Sequence, residues 1–277
     1  MKKSIFLCTA FVVFQFLLRI LSSFVLSLFA GTARSSNENG IILACILLIA
    51  FALTFFTAKK IGCFSGCFSL ASLRAQQKGG ATHPCLLVLC VFFFALAIIV
   101  TSSEIGNIVL FFVPASAALE NGLTEISSYR SIALSLFVGA LIPAFGEEFL
   151  FRKIIIEELQ KNYRTGKCMF LSAALFAICH LNIWQALPAF WAGFFLALIF
   201  VKTQNIAFCI FVHFVNNFFA LLCLRFGFDI KSAEAPFSNP LLTAASLLTL
   251  LVCVYSINHL TENRLTENHL TRKEHTV

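Results

Sequence analysis

The stretch that decides the fold is Ser131 to Ile156, SIALSLFVGALIPAFGEEFLFRKIII. It is apolar over a length that crosses a bilayer, since about 20 predominantly apolar residues span the hydrocarbon core. Its second half nevertheless carries Glu147, Glu148 and Arg152, and Pro143 and Gly146 just ahead of them loosen the helix. A charge near the bilayer centre costs at least about 2.5 to 3.5 kcal/mol on insertion scales. Ionisable residues inside such a span therefore mark either a site or the cytoplasmic end of the helix, and the triplet alone leaves both open.

The rest of the chain has the same solvent. Of 277 residues 59% are apolar and only 12% charged, and mean hydropathy is +0.90. Soluble domains carry about a quarter charged residues, so a water-soluble fold is excluded. Apolar runs at Ile5 to Ala30, Ile41 to Thr57, Cys85 to Val100, Ser131 to Ile156, Met169 to Leu181, Gln185 to Val201, Ile206 to Leu224 and Leu241 to Ser256 predict an all-α, polytopic transmembrane helical bundle of about eight spans. The first run follows Met-Lys-Lys but exceeds the roughly 7 to 15 residues of a signal-peptide core, so an uncleaved first helix is expected. Ile108 to Leu119, with Pro114 in its middle, is too short to cross and is expected to be re-entrant or interfacial.

The expected organisation is residues 1–130 as N-terminal spans with loops, 131–224 as the core with the polar residues, 225–258 as a loop and last span, and 259–277 as a polar, helical or frayed cytoplasmic tail built on a five-residue repeat. The excess of Lys and Arg, formal charge +7, lies in loops and at helix ends rather than in a basic surface interleaved with aromatics, which argues against nucleic acid as a partner. Lys59, Lys60, Arg74 and Lys78 follow the second span, and Lys153, Lys161, Arg164 and Lys167 lie at or beyond the end of the fourth. The 102–130 loop holds Glu104, Glu120 and Glu125 against Arg130. Both termini are then expected in the cytoplasm. The 11 cysteines lie mostly in apolar runs and imply no disulfide framework; Cys63 and Cys67 lack the second pair of ligands that a structural zinc site needs.

Few other ionisable residues enter the spans: Arg19 in the first, His180 at the end of the fifth, and His213 with Asn216 and Asn217 in the seventh. Glu148 and Arg152 are four apart and share a helix face, so they can neutralise each other, whereas Glu147 points about 100° away without such a partner. His213 and Asn217 likewise share a face. At 1.5 Å per residue from the cytoplasmic ends, Glu147 lies roughly 12 to 14 Å deep, His180 roughly 16 Å and His213 roughly 11 Å. The three can meet at one level.

Taken in order, Glu147-Glu148-x-x-x-Arg152, Phe176-x-x-x-His180 and His213-x-x-x-Asn217 resemble the motifs of the CPBP family, the CAAX prenyl endopeptidases and bacteriocin-processing or immunity proteins also called the ABI family. The resemblance covers about Ser131 to Leu224. It implies an all-helical intramembrane peptidase in which Glu147 and His180 activate water, His213 and Asn217 stabilise the oxyanion or complete the site, and Glu148 with Arg152 forms a supporting pair. It also implies a membrane-associated protein or peptide substrate, prenylated or lipid-anchored. Amide hydrolysis needs a base for water, donors for the oxyanion and an acid for the amine, and these residue types supply all three. Two routes stay open: Zn2+ held by Glu147, His180 and His213, or a metal-free glutamate mechanism. Other classes remain as well, namely a proton-coupled transporter using Glu and His as a relay and a non-catalytic membrane scaffold or immunity factor.

Overall fold

The computed structural model describes residues 1–28, 36–63, 83–114, 129–226 and 239–274, with side chains described except at 19, 22–28, 36–37 and 262–274. The described residues form helices and no strand. In hydrocarbon this is what the backbone requires, because every N–H and C=O must be satisfied within its own segment. Among the described residues there are eight helices: α1 (Lys2–Leu28), α2 (Ser36–Lys60), α3 (Pro84–Phe112), α4 (Ile132–Gln160), α5 (Thr165–Ile178), α6 (Ile183–Thr203), α7 (Ile206–Phe226) and α8 (Pro240–Glu274). Six of them, α2 to α4 and α6 to α8, are long and apolar enough to cross a bilayer. Large side chains such as Phe16, Phe56, Phe112 and Leu241 are exposed around the bundle. Lipid, not water, suits such a surface.

Two of the expected segments differ. The third span does not stop near Val100: α3 continues as one helix of 29 residues through Phe112. Ile108 to Phe112 are thus part of α3 and not a separate re-entrant segment, while 115–119 lie outside the described residues. The reason is the position of Pro114. A proline disfavours the α conformation in the residue before it, and Val113 is extended at φ −134°, so the proline ends the long helix instead of interrupting a short one. In consequence Glu104, expected in a loop, is a helical residue only 3% exposed, with Asn107 donating to it across one turn.

The second difference is α5. Its 14 residues rise about 21 Å, less than the roughly 30 Å of a hydrocarbon core. The turn that follows, Cys179 to Asn182, therefore sits at membrane depth when the helix starts beside Arg164 and Lys167. Irregular backbone is tolerated there only if protein covers it or it lines a cavity. The tail residues 259–274 extend α8 without a break.

Packing forms two apolar clusters. One joins α1, α2, α4 and α5 through Phe11, Phe51, Phe151, Ile155 and Phe176. The other joins α3, α6, α7 and α8 through Phe94, Ile98, Phe200, Val212 and Ile257. Gly146 is what lets α2 approach α4: a Cβ there would lie 2.3 Å from the Phe51 ring. The polar residues of α4, α5 and α7 lie where the two clusters meet.

Candidate active site

The site is built on a distorted helix. Within α4 the residues Phe137–Leu141 and Phe149–Ile156 are π-helical and flank the α-helical turn Ile142–Glu148. Pro143 has no N–H to offer the preceding turn, and the wider register takes up the defect: the Ile142 N–H donates to Phe137 O, five residues back. Such bulges inside α-helices occur often at functional sites. Here they bracket the two glutamates.

Glu148 and Arg152 are both fully buried. Arg152 Nε lies 2.9 Å from Glu148 Oε2 in close ion contact, and Arg152 Nη2 donates to Oε1 at 3.4 Å. The expected pair is present. Its surroundings complete it: Arg152 Nη1 donates to Ser172 Oγ at 3.2 Å, that hydroxyl donates to Phe151 O at 3.1 Å, and the guanidinium carbon stands 5.2 Å from the centre of the Phe176 ring. Burying two charges is tolerated only when their remaining donors and acceptors are occupied.

Glu148 also receives a bond from another helix. His213 Nδ1, on α7, donates to Glu148 Oε1 at 2.8 Å. A carboxylate can only accept, so this bond fixes the imidazole and leaves Nε2 as the atom it offers elsewhere. Nε2 lies 3.9 Å from Glu147 Oε2. His213 thus bridges the two adjacent glutamates, buried Glu148 on one side and partly exposed Glu147 on the other.

His180 sits in the turn after α5. Its Nδ1 donates to Phe176 O at 2.9 Å, so again Nε2 is the free ring nitrogen. Leu181 next to it adopts φ 56°, a left-handed conformation uncommon in a non-glycine residue. Asn182 holds the turn: Nδ2 donates to His180 O at 2.9 Å and to Gln185 Oε1, while Oδ1 accepts the Gln185 N–H at 2.8 Å and caps α6. The Phe176 ring stands edge-on to both imidazoles, its centre 5.0 Å from His180 and 5.8 Å from His213. A Cβ on Gly193 would lie 2.9 Å from that ring, so glycine gives Phe176 its place.

A cavity of about 200 Å³ opens beside these groups, lined by His180, His213, Asn216 and Asn217 together with Ile98, Ser102 and Pro188 among others. Asn216 Nδ2 donates to Asn217 Oδ1 at 3.4 Å, which leaves the Asn217 amide hydrogens for a ligand. The structure thus joins Glu147, Glu148, Arg152 and His213 by direct contact and places His180, His213 and Asn217 on one cavity. Among the described residues neither His180 nor Asn217 bonds Glu147 directly. Nor does any group of three or more His, Cys, Asp or Glu converge as a metal site. Glu147, His180 and His213 therefore do not fit the three-ligand shell of a catalytic zinc in this arrangement.

Reading the sequence missed several contributors. Ser172 holds Arg152, and Asn182 with Gln185 holds the His180 turn; an Asn three residues ahead of Gln at the start of an apolar helix is a capping signal that marks the latter pair. Nothing in the sequence singles out Ser172 from other alcohols in apolar runs, or Ser102 from those of the stretch read as a loop.

With this geometry in place, likeness to known proteins can be weighed. A sequence model of the Rce1-like type II CAAX prenyl endopeptidases matches residues 129–219. The provisionally assigned membrane peptidase YdiL of Bacillus subtilis (strain 168) is 25% identical over 151 residues, 54% of this chain and 61% of that protein, so less than two thirds of its length is spanned. No solved structure matches the chain. The matched segment holds Glu147, Glu148, Arg152, His180, His213 and Asn217, and over it the chain is similar to the Rce1-like endopeptidases.

Proposed function

We propose that this membrane protein is an endopeptidase that hydrolyses a peptide bond of a membrane-associated, prenylated or lipid-anchored protein or peptide, with Glu147 as the base for water. The observation that carries this reading is His213 bridging two unequal glutamates: one carboxylate is spent on holding the imidazole, the other is left 3.9 Å from its free nitrogen. A water hydrogen-bonded to both Glu147 and His213 at ~2.8 Å subtends an angle of roughly 90°, which a water molecule accepts.

In the proposed reaction Glu147, assisted by His180, takes a proton from that water as its oxygen attacks the scissile carbonyl carbon. The carbonyl oxygen becomes an oxyanion, met by Asn217 amide hydrogens and by the Nε2–H of doubly protonated His213, and the carbon–nitrogen bond then breaks as the proton held by Glu147 passes to the leaving amine. Glu148 and Arg152 position His213 and take no part in proton transfer. This route needs no metal. Cleavage of a prenylated or membrane-embedded peptide by purified protein in detergent tests the activity, and addition of a chelator tests the route. Undiminished cleavage supports it, and loss restored by Zn2+ overturns the metal-free version.

The partners that follow are membrane lipid and the membrane-associated substrate. We place both termini in the cytoplasm, with the cytoplasmic membrane of a bacterial-type cell as the location. A cysteine introduced at Glu120 should be labelled from outside and one at Lys167 should not; the opposite pattern overturns the orientation.

A further inference from the structure

Two neighbouring alcohols on α3 differ in a way that points to the substrate. Thr101 is fully employed: its Oγ1 donates to Ala97 O at 2.8 Å and accepts from Trp191 Nε1 at 3.0 Å. Ser102 is only 7% exposed, yet its hydroxyl has no partner among the described residues. Leaving a buried hydroxyl unpaired costs about 1 to 3 kcal/mol. Ser102 lines the same cavity as His180, His213 and Asn217. Ser102 lies on α3, outside the 129–219 segment that carries the likeness to known peptidases.

The nature of the occupant follows from the space and from the solvent. At about 200 Å³ the cavity is smaller than the ~300 to 1,000 Å³ of sites that enclose a small molecule. It takes one or two side chains of a peptide and does not enclose a long prenyl or acyl chain. A peptide bond must be unwound before water can reach it, and in lipid each N–H or C=O so released costs several kcal/mol unless a partner meets it. A pocket for an unwound strand therefore needs hydrogen-bonding groups beyond those that perform hydrolysis.

We infer that Ser102 is a substrate-binding residue whose hydroxyl hydrogen-bonds the backbone of the unwound peptide, while an apolar substrate side chain beside the scissile bond fills the space between Ile98, Leu196 and Val212. This rests on the endopeptidase reading. The hydroxyl is a specificity-determining contact and moves no proton of the reaction.

The test uses membrane-anchored peptides that differ only in the side chain beside the cleaved bond (Ala, Val, Leu or Phe), each with a photo-crosslinking label. Ser102→Ala should raise KM about 2- to 10-fold, the span of one neutral hydrogen bond, with a smaller change in kcat, and should weaken labelling of the Glu147→Gln protein in proportion. Thermal stability should stay level or rise, because the substitution removes an unpaired buried hydroxyl. Ser102→Leu should shift preference toward Ala over Leu and Phe. Unchanged KM and labelling in Ser102→Ala, or a fall in its stability that parallels its loss of activity, would overturn the inference while leaving the endopeptidase reading intact. Ser102-dependent labelling without cleavage by the parent protein would support the binding role and overturn the peptidase. Peptides that neither label nor are cleaved overturn both.

Discussion

Glu147 and Glu148 are neighbours in the chain, yet they belong to two regions of different physical character. Around Glu148 everything is closed: Arg152 and His213 bind a fully buried carboxylate, and Ser172 and Phe176 in turn hold those two partners. Around Glu147 the side chain is 18% exposed, and its close ionisable neighbour on another helix is His213, whose Nε2 lies at 3.9 Å. A group whose acceptors are all occupied holds its neighbours still. A group with an open face can take a proton. The costly closed region fixes His213 with its Nε2 toward the open carboxylate.

The largest effect expected from breaking this comparison comes on the closed side. Arg152→Ala leaves Glu148 buried without its cation, a loss of about 3 to 5 kcal/mol for removal of one partner of a buried pair. The yield of folded protein extracted in detergent, and its thermal unfolding temperature, should both drop. A variant that stays fully stable but loses turnover would move the pair from support into the chemistry. A smaller effect, and one on activity alone, is expected on the open side. Asn217→Ala should lower kcat about 10²- to 10³-fold, as loss of an oxyanion donor does, at unchanged unfolding temperature. Combined with Glu147→Gln it should be little worse than the poorer single variant, since residues that act as a unit are not additive. A multiplicative loss would place Asn217 in a separate role.

How much of this was legible in the sequence differs between the two regions. The closed pair was readable from spacing alone, because residues four apart on a helix meet whatever the rest of the bundle does. The bridge from His213 to Glu148 was not: depth put both at one level, but which helix faces which is set by packing between the two apolar clusters. Glu104 was misplaced for a local reason, since Thr101-Ser102-Ser103-Glu104 reads as a polar loop until Pro114 is recognised as the first true stop. Ser102 was invisible because it fell in that same stretch read as a loop, and even on a helix an alcohol looks alike whether it bonds its own backbone, as Thr101 does, or faces a cavity. Phe176 was quoted only as part of a spacing, and its part as the ring between both histidines and the guanidinium emerges from the packing.

The central claim is that Glu147 is the working carboxylate and Glu148 the supporting one. The most direct test is the rate at which Glu147→Gln cleaves a membrane peptide that the parent protein cleaves, measured on protein of unchanged extracted yield and thermal unfolding. Removal of a positioned base should lower the rate by roughly 10² to 10⁴ or more. Full peptidase activity in that variant would contradict the account.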